Sequence, residues 1–215
     1  MTSDIKTDRR TAILDAAEAQ FARHGYDGVN LRAIAREAGV DVALANYHFG
    51  KKQDLFDAVL MRRADVLNGW RLKALTDVLA EASPEAPSVE AIVRAYLGPL
   101  LTGPHVAEPG WKHYYALIAY VNNSPEWGGK LMTQFFDPLI RRFIDALRMS
   151  LAPVDEKSLF WAYHCFSGAL TLTFAQTGRI DQLSRGLCHS DDLDDAYEHV
   201  VQFITAGFEA LKADR

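Results

Sequence analysis

The chain has 215 residues, 49% hydrophobic and 24% charged, with a formal net charge of −5. The length suits one compact unit or two small ones, and the composition excludes a disordered or fibrous chain. The acidity argues against a nonspecific nucleic-acid coat. Two cysteines, Cys165 and Cys188, are too few for a disulfide scaffold, Met1–Asp8 is too polar for a signal peptide, and no apolar run reaches the roughly 18 residues of a membrane span. A soluble cytoplasmic protein without membrane contact is expected.

None of the eight prolines precedes Pro84, so residues 1–83 can hold unbroken helices punctuated by Gly25, Gly28, Gly39 and Gly50. Charge divides in the same region. Residues 1–65 carry ten Lys/Arg and ten Asp/Glu, whereas residues 66–215 carry thirteen and eighteen, so all net acidity lies in the second part.

Helical spacing recurs along the chain. Ile13, Leu14, Ala17 and Phe21 form a stripe after a Thr7/Asp8 cap, and Gly25 ends it. Asn30 caps a short helix over Leu31–Ala38 with Gly39 as its stop, and Asp41 caps another over Val42–His48. A long helix follows from Lys52 to about Glu81, with Leu55, Phe56, Val59, Leu60, Leu67, Trp70 and Val78 inward. At about 1.5 Å per residue it spans roughly 45 Å, enough to belong to two domains. Val89–Leu100, Trp111–Val121, Glu126–Leu151 (kinked or restarted at Pro138), Leu159–Gln176 and Leu193–Leu211 read as further helices, and Leu159–Gln176 is apolar on several sides. The fold class is all-α.

Two short helices meeting at a glycine-centred turn are what major-groove reading requires: the first braces the second, whose N-terminal residues face base edges. Leu31–Ala38, Gly39-Val40-Asp41 and Val42–His48 have that layout, with Val40 plugging the core between the helices.

Ile13-Leu14-Asp15-Ala16-Ala17, Phe21, Gly25-Tyr26, Leu31-Arg32-Ala33-Ile34-Ala35, Ala38-Gly39-Val40 and Tyr47-His48-Phe49 followed by Lys52 resemble the TetR family of transcriptional regulators. The resemblance implies an N-terminal three-helix DNA-binding domain in residues 1–52, with its helix-turn-helix at about 30–49. A long helix would join it to a helical ligand-binding and dimerisation domain in residues 53–215. It further implies a repressor released from a double-stranded, palindromic operator by a small molecule. Carried over by position, Asn30, Leu31 and Arg32 start the supporting helix, and Arg32 reaches a phosphate or base. Val42, Ala43, Leu44 and Asn46 sit at the groove, while Tyr47, His48 and Lys52 hold backbone phosphates. The family commonly has Ser, Thr or Lys early in the reading helix and Tyr at the position of Asn46, so Asn46-Tyr47-His48-Phe49 resembles a subset. Val42 and Ala43 would then contact thymine methyls and Asn46 an adenine edge, with shape readout and Arg32 supplying further specificity.

Thirteen aromatic residues lie between Trp111 and Phe174. Most should fill the core. Trp111, His113, Tyr114, Tyr120, Asn122, Phe136, Trp161, His164 and Gln176 are the candidates for a cavity that takes an apolar or aromatic effector. Ser167-Gly168-Ala169 allows another helix to approach. With the last helix it looks like the family's dimer interface, a four-helix bundle formed with a second copy through Ser167, Gly168, Leu170, Phe174, Tyr197, Val200, Val201, Ile204 and Phe208. A homodimer also follows from the need to span two half-sites roughly 34–36 Å apart.

An enzyme is disfavoured, because no HExxH, glycine-rich phosphate loop or GxSxG is present and no catalytic residue, cofactor or metal is expected. Two alternatives stay open. One is a constitutive repressor with a filled core; the other is a redox or metal switch using Cys165, Cys188, His189, Asp191 and Asp192.

Overall fold

The computed structural model describes residues 2–125 and 128–212, with side chains from Arg9 onward, and every regular element among them is helical. Helix α1 (Thr2–His24) starts before the expected Thr7/Asp8 cap, because no glycine or proline interrupts the chain there; the side chains of Thr7 and Asp8 lie outside the described residues. It ends at Gly25, whose φ of 66° suits a residue without Cβ. Asn30 caps α2 (Leu31–Glu37) by accepting from the Ala33 N–H at 3.0 Å, and Asp41 caps α3 (Val42–Phe49) by accepting from Ala43 at 2.7 Å. The turn between them passes through Gly39 at φ 66°, and half-buried Val40 packs against the core.

Helix α4 (Lys52–Ala82) has 31 residues. Its buried row begins with Leu55, Phe56, Val59 and Leu60 and continues through Ala64, Leu67, Arg71 and Leu75. Trp70, expected inward, is 40% exposed and lies against His105 and Trp111, with ring centroids 4.8 and 5.6 Å away. The inward place on that turn belongs to Arg71, which continues the i, i+4 row of Leu67 and Leu75.

After α5 (Val89–Leu101) and a 3-10 turn at Pro104–Ala107 comes α6 (Pro109–Asn122). Of the two expectations for this stretch, a kink or a restart at Pro138, the restart is what forms. A π turn at Gly128–Met132 leads into α7 (Thr133–Phe135), and α8 (Asp137–Leu151) restarts with Pro138 in its first turn; Glu126 and Trp127 lie outside the described residues. The break falls two residues before Pro138, at Phe136, whose φ of −122° departs from helical geometry; the proline ring and its missing N–H prevent the preceding turn from running on unbroken. Helix α9 (Glu156–Ala175), short α10 (Arg179–Leu183), α11 (Leu193–Glu209) and a 3-10 turn at Ala210–Lys212 complete the chain. One continuous apolar core runs from Ile13 to Phe208. Helix α9 is buried on one face only, through Leu159, Phe166, Leu170, Thr171 and Phe174, rather than on several.

Candidate nucleic-acid interface and ligand cavity

Helix α3 buries Ala45 and Phe49 and turns Ala43, Asn46 and Tyr47 outward, with Val42, Leu44 and His48 half-buried. Tyr47 is 72% exposed and meets His48 edge to face at 5.4 Å. The Asn46 amide donates to the Val42 carbonyl at 3.1 Å, which settles one donor and leaves its oxygen free of that bond. On α2, Ile34 and Ala35 are buried, Leu31 is half-buried, and Asn30, Arg32 and Arg36 are exposed. Arg9 lines an open groove with Ala43, Leu44 and Tyr47, and the Arg10 guanidinium lies 5.0 Å from the Phe49 ring. Sequence reasoning missed this pair. The Arg9-Arg10 doublet at the foot of the first apolar stripe was the available signal.

Polar ties fix the angle at which α3 is presented. The Lys52 ammonium donates to the Tyr26 and Val29 carbonyls at 3.0 and 3.1 Å and sits 4.0 Å over the Tyr26 ring. It thus holds the turn between α1 and α2, and a phosphate contact would use its third N–H. Glu37 accepts from Gln20 and, at 2.7 Å, from Arg23, so α2 is pinned to α1; the Gln20 bond, then Arg23, keeps the carboxyl below its ordinary pKa.

A cavity of about 560 Å³ opens between α4, α5, α6, α8 and α9. Of the residues expected there, Tyr114, Asn122, Phe136 and His164 line it. The others lie elsewhere. Trp111 is buried beneath the Arg63 guanidinium at 4.6 Å, His113 is half-buried off the lining row, and Tyr120 covers Gly25. Trp161 is 59% exposed, and Gln176 ends α9 in the left-handed conformation at φ 42°. The row of α6 that faces the cavity is Tyr114, Tyr115, Ile118 and Asn122; His113 and Tyr120 fall off it, and Trp111 lies one turn beyond its end.

The lining also includes Arg71, Tyr96, Asp137 and Tyr163, which sequence reasoning missed. Arg71 is 3% exposed and lies 3.8 Å over the Tyr96 ring. Its Nε and Nη2, like the Tyr115 hydroxyl, are buried without a hydrogen-bond partner. Burial raises the pKa of the Tyr114, Tyr115 and Tyr163 phenols, so all three stay neutral. Asn122 donates to Ser167 at 3.1 Å, joining α6 to α9 across the wall.

Five of the expected dimer residues point inward. Leu170, Phe174, Val201, Ile204 and Phe208 are buried in the chain's own core, and Ser167 and Gly168 border the cavity. Tyr197 and Val200 are half-buried against that core. The outward side of α9 carries Phe160, Trp161 and Leu172 at 48, 59 and 64% exposure, and α11 carries Phe203 at 72%. Periodicity shows that each helix is apolar; it does not say which stripe the chain keeps for itself.

Cys165 is exposed and Cys188 half-buried. Among the described residues no three His, Cys, Asp or Glu side chains come together as a metal site, and no helix is long and apolar enough to cross a membrane.

Residues 13–59 match the family model described as "Bacterial regulatory proteins, tetR family", and residues 94–207 match "Tetracyclin repressor-like, C-terminal domain". The HTH-type transcriptional regulatory protein RaaS of Mycobacterium tuberculosis is 35% identical over 128 residues, which covers 60% of this chain and 50% of that protein. The HTH-type transcriptional regulator BetI of Agrobacterium fabrum is 51% identical over 76 residues, 35% of each chain. The chain thus spans half or less of the length of these curated relatives. The crystal structure of HlyIIR, a hemolysin II transcriptional regulator, superimposes with a TM-score of 0.60 at 19% identity, over 93% of this chain and 98% of that one, which is a likeness of fold.

Proposed function

The chain belongs to the TetR family of bacterial regulatory proteins, and on that premise we propose that it is a cytoplasmic, homodimeric transcriptional repressor, released from a palindromic DNA operator by a small apolar or aromatic effector. Helix α3 carries this reading. It is capped by Asp41, braced by α2, and presents Ala43, Asn46 and Tyr47 to solvent beside Arg9. In a major groove, Asn46 would read an adenine, the methyl of Ala43 would meet thymine, and Arg32, Tyr47 and His48 would contact phosphates. Asn46-Tyr47-His48-Phe49 then marks a subset of the family that reads with an amide rather than a phenol. The DNA-binding part is residues 1–52, and residues 53–215 sense and dimerise. The apolar outward sides of α9 and α11 are the surface that would pair with a second copy.

The cavity of about 560 Å³ favours an effector over a constitutive repressor, since it falls within the roughly 300–1,000 Å³ of small-molecule sites. Helix α4 couples the two parts. Lys52 at its start holds the α1–α2 turn, and Arg71, about 28 Å further along the helix, stands in the cavity wall. An effector moves the reading helices only as far as it prefers one cavity shape over another, so effector and operator must weaken each other reciprocally. Selection of bound DNA from random sequence tests the reading. A twofold-symmetric motif with half-sites one helical turn or a multiple apart is expected, and failure to enrich any motif would overturn it.

A further inference from the structure

We propose that the cavity takes an organic monocarboxylate with an aromatic or other apolar body, and that Arg71 holds the carboxylate. The proposal rests on the effector-binding reading of the cavity and names the class of effector. Arg71 is 3% exposed and always charged, yet among the described residues nothing accepts a hydrogen bond from it and no carboxylate lies within 4.0 Å. Its face is covered by Tyr96 at 3.8 Å and approached by Phe143 at 5.6 Å. Ring contact satisfies the face of a guanidinium but not its in-plane N–H groups. The two nitrogens buried without a partner are Nε and Nη2, which form one parallel fork. Elsewhere in this molecule the same two atoms of Arg63 grip both oxygens of Glu18, at 2.8 and 3.0 Å. Arg71 lines the cavity, and no protein carboxylate fills its fork.

The rest of the lining selects the charge and the body. The acidic Asp137 also lines the wall, so a dianion such as a phosphate ester would meet repulsion without a second cation. Tyr114, Tyr115, Phe136, Ile140 and Phe174 supply the apolar surface for the remainder of the ligand. A neutral amide would bring an NH2 group against the donors of Arg71 and lose the charge-assisted pair.

Calorimetric titration of the full chain with naphthaleneacetate, biphenylacetate and indoleacetate, each beside its primary amide, tests the proposal. At least one acid should bind about 10- to 100-fold more tightly than its amide. Arg71→Gln should abolish that preference, and Arg71→Lys should keep part of it. Equal affinity within every pair, no binding by any acid, or a preference that persists in Arg71→Gln would overturn the proposal. If Arg71→Gln does not fold, the acid-to-amide ratio of the native chain decides. The titration needs no DNA. Its failure leaves the operator reading standing, whereas acid binding in a chain that selects no DNA would retain the site and remove the regulator.

Discussion

Arg63 and Glu18 form a two-pronged ion pair inside the protein, Nε to Oε2 at 2.8 Å and Nη2 to Oε1 at 3.0 Å, with the carboxylate 1% and the guanidinium 13% exposed. The Arg63 guanidinium also lies 4.6 Å over the Trp111 ring, and a Cβ at Gly110 would come within 2.1 Å of Nη2. One pair therefore joins α1 of the helix-turn-helix part, α4, and the α6 helix that supplies Tyr114 and Tyr115 to the cavity.

Removing one partner strands the other. Arg63→Ala leaves a fully buried carboxylate and is expected to cost about 3–5 kcal/mol in urea unfolding, the range for a broken buried pair. The double change Glu18→Leu/Arg63→Met should cost much less than the two single losses together, because no charge is left unpaired. A single-mutant cost below about 1 kcal/mol, as for an exposed pair, would show that Glu18 finds another partner.

Asn46→Ala is expected to cost about 1–3 kcal/mol on the selected operator and almost nothing once the base pair under Asn46 is changed. Arg32→Ala should weaken all operator variants similarly if Arg32 holds phosphate. Fluorescence anisotropy on a set of single-base variants separates the two. Uniform loss across the set for Asn46→Ala would remove its base-reading role.

The helix-turn-helix part was legible because its signals are local. Asn30, Gly39 and Asp41 each act on atoms within three residues, so spacing alone identifies caps and turn. The cavity was legible only through Tyr114, Asn122, Phe136 and His164. Arg71 was hidden because a charged residue on an apolar row reads as a solvated one until Tyr96 is seen beneath it. Nor could periodicity separate Phe174, which stacks on Tyr115 at 4.4 Å, from Leu172 two residues earlier, which is 64% exposed. Both are apolar, and only packing assigns one to the core and the other to the surface.

His105 gives the fold an acid-side weakness. It lies between Trp70 and Trp111, at 4.8 and 5.1 Å, and burial depresses its pKa although the Pro99 carbonyl and Glu108 pull it up. In the unfolded chain it titrates near about 6.5. Between that value and the lower folded one, the unfolded state holds more protons, so stability is full above about pH 6.5 and falls as the pH drops toward the folded pKa. Urea midpoints at about pH 7.5 and about pH 5.5 should therefore differ by less in His105→Phe than in the native chain. An identical drop in both would place the acid sensitivity elsewhere.

The outward and inward stripes of α9 and α11 predict opposite phenotypes. Phe208, 1% exposed and edge to face with Phe166, belongs to the chain's own core, so Phe208→Ala should cost about 3–5 kcal/mol of folding stability. Trp161 and Phe203 face solvent in the single chain, and a glutamate at either position leaves its core intact. If the outward sides pair with a second copy, Trp161→Glu and Phe203→Glu put charge into a desolvated apolar interface. Each should then weaken dimerisation by at least about 2 kcal/mol, roughly 30-fold, as for an interfacial anchor. Sedimentation equilibrium reads that directly, and circular dichroism should show helix content unchanged. Operator affinity should fall with the dimer, because one reading helix alone contacts a single half-site. Dimers that survive both substitutions would move the interface off this face and, with it, the geometry that sets the spacing of the two α3 helices.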